Sequence, residues 1–238
     1  VAGEPSGDRY GAWLARALLE REPALRLRGM GSAEMTAAGV ELLVDASDLA
    51  VVGFVEVVKH LRTFRRVFGE LVAEAEISRP AVVVLIDYPG FNLRLAERLH
   101  ALSIPVVYYV CPQVWDWGKR RIPKMERVVD RLLTIFPFEP ALFDGTGLDA
   151  RFVGHPLGEV LDTFREPALE RSEDTVLLLP GSRRGEVRAL LPVFLRAGVA
   201  LEQRCPGLTF VVAAPSAAIA ALCREQIDGA RKRGDAPT

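Results

Sequence analysis

Short apolar runs alternate along the chain with longer segments whose apolar residues recur at helical spacing. The runs typical of strands lie at 25–28, 49–55, 81–86, 105–110, 132–136, 152–153, 176–179 and 209–214. The segments with helical periodicity lie at 10–20, 57–77, 93–102, 187–203 and 217–226. Because parallel sheets are built from alternating strands and helices, this order predicts an α/β protein with a doubly wound, Rossmann-like sheet.

The polar stretch 162–174 interrupts the alternation and is predicted to be a linker. It separates an N-terminal Rossmann-like domain, 1–161, from the incomplete start of a second Rossmann-like domain, 175–238. Only Val1 and Ala2 precede the first glycine-rich loop, and the second part is shorter than an open α/β domain of about 100 residues. We therefore expect a truncated copy, with a polar end at 229–238 that frays.

Composition narrows the class of protein further. Half of the 238 residues are hydrophobic and 26% are charged, which is typical of a folded chain with a core. The net charge of −1 gives no general attraction to nucleic acid. The three cysteines have neither metal nor disulfide spacing, so we expect reduced thiols in a cytosolic protein, with no metal site and no cofactor. Because the first residue is Val and not Met, the sequence leaves open whether a targeting segment lies upstream.

The apolar run 81–86 ends directly at Asp87. A β-branched run without polar alternation is typical of a strand buried on both faces of a parallel sheet. A Tyr-Pro-Gly turn follows, and Asn92 can cap the next helix. Asp87 therefore lies at the carboxyl end of a central strand, where open α/β sheets bind ligands. The alternative is that Asp87 only stabilises the turn.

Two glycine-containing turns, each between a strand and a helix, are candidate ligand loops. The first contains Gly3, Glu4, Ser6 and Asp8, and it matches neither a dinucleotide fingerprint nor a Walker loop. Ser6 or Asp8 can cap the following helix, and the two acids suit sugar hydroxyls better than phosphate. A capped tight turn without any ligand is the alternative.

The second turn contains Gly181, Ser182, Arg183 and Glu186. Glycine opens the backbone, Ser182 offers a cap, and Arg183 brings a cation to a helix N-terminus. These parts are typical of a diphosphate site. Arg184 is better explained as a solvated surface residue.

Trp115 and Trp117 lie just past a buried strand and are followed by three cations, 119–121. The rings can pack on sugar rings or acyl chains, and the cations can contact phosphate. Tryptophans in an interdomain core are the alternative, and a DNA-binding patch is a weaker one. His155 also follows a strand, either in a cleft or as a hydrogen-bonded turn residue.

The segment 54–72 combines an apolar stripe with cations at helical spacing. A basic amphipathic helix can lie on an anionic membrane surface. A helix that packs its apolar side on the core is the commoner alternative. The expected membrane contacts are Phe54, Val55, Val58, Leu61 and Phe64, with Arg62 and Arg65 beside them.

Taken in order, seven of these segments resemble the lipid-A-disaccharide synthase family, inverting glycosyltransferases of the GT-B architecture. The segments are AGEPSGD (2–8), GFVEV (53–57), IDYPGFN (86–92), QVWDW (113–117), FPFE (136–139), VGH (153–155) and LPGSRRGEV (179–187). Each is weak alone, but their common order is specific. The later half of the family's nucleotide domain has no counterpart here, so we expect the fragment alone to be inactive.

The resemblance implies transfer of 2,3-diacylglucosamine from its UDP donor to 2,3-diacylglucosamine 1-phosphate, giving a β-1′,6-linked lipid A disaccharide 1-phosphate. It implies a cytoplasmic protein, peripheral on the inner face of the inner membrane, with Asp87 as general base. It also implies that Arg183 belongs to the part that handles the donor nucleotide, and that the segment 54–68 is similar to the family's membrane-contacting surface. With the candidates read from the residues themselves, the expected donor residues are Gly181, Ser182, Arg183 and Glu186, and the expected acceptor or cleft residues are Gly3, Glu4, Ser6, Asp8, Asn92, Trp115, Trp117 and His155.

Two other readings of the chain remain open. One is another GT-B sugar-nucleotide enzyme, an epimerase or an N-acetylglucosaminyltransferase. The other is a non-catalytic lipid-binding fragment. Acyl-chain length, a homodimer and the remaining donor contacts also stay open.

Overall fold

The computed structural model describes residues 1–46, 57–115, 118–163 and 172–237. The chain divides into two compact units, Val1–Arg165 and Glu166–Thr238. The boundary between them lies inside the predicted linker 162–174, of which 164–171 lie outside the described residues. The domain limits 1–161 and 175–238 stay predictions.

The first unit alternates strands and helices throughout its described residues. In chain order these are α1 (Pro5–Arg21), β1 (Arg28–Gly31), α2 (Ala33–Ala37), β2 (Glu41–Asp45), α3 (Val57–Ser78), β3 (Val83–Ile86), α4 (Pro89–Ala101), β4 (Val106–Tyr109), α5 (Ile122–Val128), β5 (Arg131–Thr134), β6 (Asp149–Phe152) and α6 (Leu157–Thr163). Short 3-10 helices cover Lys119–Arg121 and Pro140–Phe143.

All strand pairs of the first unit are parallel within the described ranges. β1 pairs with β2, and β3, β4, β5 and β6 follow one another across a second group. Val1 and Ala2 connect the groups, because the Ala2 N–H donates to Met30 O at 2.9 Å and the Ile86 N–H donates to Val1 O at 2.9 Å. The order is therefore β2–β1–(Val1-Ala2)–β3–β4–β5–β6, with the direction of winding reversing between Ala2 and β3. Open α/β sheets bind ligands at such a reversal, beyond the carboxyl ends of the strands.

Each face of this sheet has its own core. Successive strand side chains point to opposite faces, so Val83 and Leu85 join a core with α3, α4 and α5. Val84 and Ile86 join a second core with α1 and α2. This arrangement confirms the prediction that the run ending at Asp87 is a strand buried on both faces.

The second unit contains β7 (Thr175–Leu178), α7 (Arg184–Arg204), β8 (Thr209–Val212) and α8 (Ala217–Arg233). β7 and β8 are parallel, and one face of the pair packs on the two helices around Val187, Leu191 and Leu222. α8 continues through the segment expected to fray: Ala230 is buried, and Gly234 ends the helix at a φ of 77°. The prediction of a frayed end beginning at 229 is therefore wrong.

Several short helices and one strand were not predicted from the sequence. The helices α2, α5 and α6 have one or two turns, too few to give a clear apolar period. The five-residue strand β2 was not predicted, although it contains the apolar residues Leu42, Leu43 and Val44. The strand predicted at 49–55 lies outside the described residues. No helix in the described part of the chain combines the length and the apolar character that crossing a membrane requires.

Three expected helix caps are wrong. Helix α1 begins at Pro5, and α4 begins at Pro89, so Ser6, Asp8 and Asn92 lie inside helices rather than before them. Proline at the first helical position needs no N–H partner, which explains the earlier starts. Ser182 also lies before the N-cap residue of α7, which is Arg183.

The carboxylate of Asp8 supports a different helix from its own. It is buried and accepts backbone N–H bonds from Ser32 (2.6 Å), Glu34 (3.0 Å) and Met35 (3.3 Å). These donors belong to the start of α2, whose first N–H groups have no partner within the helix. Asp8 therefore joins α1 to α2.

We expect Asp8→Ala to lower the free energy of unfolding by about 1–3 kcal/mol, because buried N–H groups would lose their acceptor. Glu20→Ala is the matched control, since Glu20 is an exposed acid on the same helix. Urea unfolding followed by circular dichroism measures both variants. Equal stabilities would show that the contacts of Asp8 contribute nothing to folding.

Candidate active site

Asp87 lies in a strained turn at the end of β3. Its φ is 46° and that of Tyr88 is 50°, both in the left-handed region. This conformation costs an L-residue about 1–2 kcal/mol. Two side chains hold the turn: the Tyr108 hydroxyl donates to Asp87 O at 2.6 Å, and Asn92 Nδ2 donates to the same oxygen at 2.8 Å. Such strain, held by surrounding structure, is concentrated at functional sites.

The carboxyl group of Asp87 is in an environment that favours its protonated form. Burial raises the pKa of Asp87 above its ordinary value, and the negative charge of Glu4 raises it further. The N–H of Tyr88 opposes both effects by a hydrogen bond. Burial, and then the charge of Asp87, raises the pKa of Tyr10 as well. Asp87 therefore has the desolvation and the charged neighbour that are typical of functional carboxylates.

The first glycine-containing turn lies beside Asp87. A Cβ on Gly3 would overlap the ring of Tyr88, so only glycine allows that ring to pack there. Glu4 is half-buried next to this contact, whereas Ser6 is exposed on α1. Asp8 is directed away, into the contacts with α2. The structure thus brings Gly3 and Glu4 to Asp87 and leaves Asp8 with a structural set of partners.

A cavity of about 260 Å³ opens at Asp87. Val110, at the end of β4, forms part of its wall and has a φ of 68°, an unusual value for a β-branched residue. Trp117 lies outside the described residues. The side chains with chemical or aromatic character in the lining are those of Asp87, Cys111, Gln113, Trp115, Arg121 and Phe136.

Aromatic rings form the rim of this cavity. The Trp115 ring meets Phe138 edge-on with centroids 5.2 Å apart, and Phe136 stacks on Phe138 at 5.7 Å. Phe136 and Phe138 remain 37% and 50% exposed, although aromatic rings are costly to leave in water. An exposed face of this kind suits a sugar ring or an acyl chain.

His155 lies next to the same aromatic cluster. Its ring centroid is 5.6 Å from that of Phe136 and 6.5 Å from that of Tyr10. Nδ1 accepts the backbone N–H of Leu157 at 3.2 Å, as expected for a hydrogen-bonded turn residue. A role of His155 in acceptor binding stays a prediction.

Glu139 lies behind the cavity wall, next to Cys111, and was not among the predicted site residues. Its buried carboxyl group accepts the N–H groups of Ile135 (3.0 Å) and Phe136 (2.8 Å) and so fixes the end of β5. Burial raises the pKa of Glu139 and also that of the neighbouring Cys111 thiol. Glu139 is the acid of the FPFE segment, in which it follows two aromatic residues. The spacing of that segment does not show that the Glu139 side chain is buried.

The second glycine-containing turn belongs to the second unit. Gly181 has a φ of 109°, and a Cβ there would lie 2.5 Å from Oε2 of Glu186. Glu186 accepts the N–H groups of Ser182 (3.1 Å) and Arg183 (3.2 Å), and its Oε1 meets Nη1 of Arg183 at 3.1 Å. These backbone hydrogen bonds lower the pKa of Glu186. Glu186 therefore organises the N-terminus of α7, and Arg183 and Ser182 remain exposed.

Helix α3 carries part of the segment predicted to contact a membrane. Phe64 is directed toward the core, with its ring centroid 6.3 Å from that of Phe91. Arg62 and Arg65 are exposed. The described part of the helix thus has a core-facing apolar side and a solvated basic side, as in the alternative prediction. Outside the described residues lie Phe54 and Val55, and the side chains of Val58 and Leu61.

The architecture matches a solved structure, the S. aureus MnaA–UDP co-structure, with a TM-score of 0.57 at 9% identity. The match covers 94% of this chain and 63% of that one. At this identity it shows the fold alone, which is the Rossmann-like GT-B fold. The sequence defines the group more narrowly: the profile of the Lipid-A-disaccharide synthetase family matches residues 1–230, and the chain belongs to that family.

Curated relatives support the same assignment. The lipid-A-disaccharide synthase of Syntrophus aciditrophicus is 46% identical over 214 residues, which are 87% of this chain and 56% of the relative. That of Myxococcus xanthus is 44% identical over 219 residues, 89% of this chain and 57% of the relative. The chain thus spans little more than half the length of these relatives.

Proposed function

We propose that the full-length protein transfers 2,3-diacylglucosamine from its UDP donor to 2,3-diacylglucosamine 1-phosphate. The product is the β-1′,6-linked lipid A disaccharide 1-phosphate, formed with inversion at the anomeric carbon. Family membership supports the reaction class. The observation that carries the proposal is the position of Asp87, in a strained turn at the reversal of the sheet, on the wall of a cavity with an aromatic rim.

In this proposal Asp87 is the general base. The acceptor hydroxyl must lose its proton as it attacks the anomeric carbon, and a positioned carboxylate can take that proton. Partial burial makes Asp87 a stronger base than an exposed aspartate, because its pKa is raised. The hydrogen bond from the Tyr88 N–H favours the ionised form of Asp87, which is the form that accepts a proton.

The donor is proposed to use the turn at the start of α7. The departing UDP gathers negative charge, which a guanidinium and the N-terminus of a long helix stabilise without a metal. Arg183 supplies the cation there, and Glu186 holds the turn in shape. Support comes from this local geometry and from the family, and the remaining donor contacts are not part of the proposal.

We expect Asp87→Asn to lower kcat by about 10²–10⁴-fold, because a general base typically contributes that much. Asparagine also tolerates the left-handed conformation, so the turn should persist. Steady-state assays with both lipid substrates at saturation measure the loss, with thermal melting as a check on folding. Asp144→Asn, which changes an exposed acid of the same unit, is the control. Turnover within a few fold of the parent would place the base elsewhere.

The pH profile gives a second, independent test of Asp87. A general base is active only when ionised, so a raised pKa moves the acid limb of kcat/KM above the usual value of about 3.9 for aspartate. Glu4→Gln removes a negative charge that raises this pKa. The acid limb of the variant should therefore move to lower pH. An unchanged limb would show that Asp87 is not the titrating group.

Arg183→Ala is expected to raise the KM for the UDP donor by about tenfold or more, since hydrogen bonds to charged groups contribute about 1.5–3 kcal/mol. The KM for the acceptor should stay the same. Arg184→Ala is the matched control on the neighbouring exposed residue. Initial-rate kinetics with each substrate varied in turn separate the two constants. Equal donor KM values for both variants would contradict a special role for Arg183.

We propose that the protein works as a peripheral protein on the cytoplasmic face of the inner membrane, since both proposed substrates carry acyl chains. The exposed cations Arg62 and Arg65 of α3 support it, and Arg66 lies beside them in an ion pair with Glu70 at 2.7 Å. Each basic residue near an anionic surface contributes about 1 kcal/mol. Sedimentation with anionic vesicles should show binding that high salt releases. Replacing the three arginines with glutamine should abolish it, and undiminished binding by that variant would contradict this surface.

A further inference from the structure

The cavity at Asp87 combines four kinds of chemical group. It offers a carboxyl group at Asp87, an amide at Gln113 and a guanidinium at Arg121, with aromatic rings at Trp115 and Phe136. A carboxylate accepts a hydroxyl proton, a ring face packs on a sugar, and a guanidinium donates to phosphate. Together these groups match a phosphorylated sugar, and the apolar residues Pro89, Val110 and Ile135 that also line the cavity can pack on its ring or on the start of an acyl chain.

Arg121 stands apart from the two cations before it. Lys119, Arg120 and Arg121 share one short 3-10 helix, but only Arg121 is half-buried and lines the cavity. The Arg121 N–H donates to Gly118 O at 2.8 Å, which closes the turn. A Cβ on Gly118 would lie 2.6 Å from Gln113 O, so glycine permits the turn to pack against the start of its own loop. The backbone thus holds Arg121 at the cavity, which Gln113 also lines.

The guanidinium of Arg121 and the carboxyl group of Asp87 both act electrostatically on Tyr108. The hydroxyl of Tyr108 donates to Asp87 O. Burial raises the pKa of that hydroxyl well above its ordinary value, Asp87 raises it further, and the positive charge of Arg121 opposes them. Arg121 and Asp87 therefore both act on the group that anchors the turn of Asp87.

We propose that Arg121 binds the phosphate monoester of the acceptor sugar and thereby determines which end of the sugar reaches Asp87. The inference rests on the proposed function, because it assigns one residue to one part of the acceptor. Its planar set of N–H donors suits a phosphate, to which arginine can bind through two parallel hydrogen bonds.

The size of the cavity agrees with a sugar headgroup. Its 260 Å³ is below the range of about 300–1,000 Å³ that is typical of pockets for larger ligands. In the proposed acceptor the phosphate is on C1 and the attacking hydroxyl is on C6, which is attached to C5, so the two groups lie on either side of the ring oxygen. A cation for the phosphate and a base for the hydroxyl orient the ring, whereas exchanging the two groups would bring phosphate to a carboxylate. Repulsion of the wrong orientation adds to specificity.

The test compares acceptors with and without the 1-phosphate in the full-length protein. Arg121→Ala should lower kcat/KM about ten- to a hundredfold for 2,3-diacylglucosamine 1-phosphate, mainly by raising KM. It should leave kcat/KM for unphosphorylated 2,3-diacylglucosamine and the donor KM unchanged. Arg121→Lys keeps the charge and should retain an intermediate preference, which also guards against a folding defect in the alanine variant. Arg120→Ala is the matched control and should match the parent.

The outcomes separate this inference from the proposed function. If the parent transfers sugar and Arg121→Ala keeps the parent's preference for the phosphorylated acceptor, Arg121 does not bind the phosphate. An equal loss with both acceptors would likewise overturn the inference, because it would indicate a general structural or catalytic role. If the parent transfers nothing to either acceptor, the proposed function fails and the inference with it.

Discussion

The peptide carbonyl of Asp87 accepts hydrogen bonds from the Tyr108 hydroxyl and from the amide of Asn92. One donor comes from the neighbouring strand and the other from the helix that follows. The amide of Asn92 also reaches Ile86 O at 3.2 Å, so a single side chain joins the end of β3 to α4. These contacts fix the left-handed turn, and the turn in turn determines where the carboxyl group lies, how α4 begins and how the cavity is shaped.

The same region shows why a carboxylate, rather than a thiol, is the group suited to the chemistry. Cys111 lies in the cavity wall, but burial, followed by the charges of Glu139 and Asp87, raises the pKa of its thiol. A thiolate is the reactive form, so this cysteine is a poor nucleophile near neutral pH. Asp87 is also partly buried, yet it keeps a backbone hydrogen bond from Tyr88 that favours its charged form.

Sequence patterns were sufficient to predict those parts of the fold that depend on apolar runs and on the order of segments along the chain. The apolar run before Asp87 predicted a strand buried on both faces, and the alternation of segments predicted the fold, because both signals extend over many residues. The partners of Asp8 could not be predicted, since its donors lie 24–27 residues away in α2. Arg121 and Glu139 likewise depend on how β4, β5 and their following loops approach one another, which no local pattern records.

The helix starts illustrate the same limit on a smaller scale. Asn92 follows a turn and precedes an apolar segment, so its sequence position is typical of a cap. Because proline occupies the first position of α4, the helix begins at Pro89 and Asn92 lies inside it. The side-chain amide of Asn92 therefore donates to the carbonyls at the end of β3. Asn92, whose residue type usually caps a helix, instead holds the turn of Asp87 in place.

Three residues without glycine's freedom adopt positive φ around one cavity: Asp87, Tyr88 and Val110. Glycine at position 110 would adopt the positive φ easily, but it would also remove a buried side chain from the core that contains α1 and α2. Relief of the backbone strain would therefore cost packing at the wall of the site, so resistance to heat and catalytic shape are not improved together at this end of the sheet.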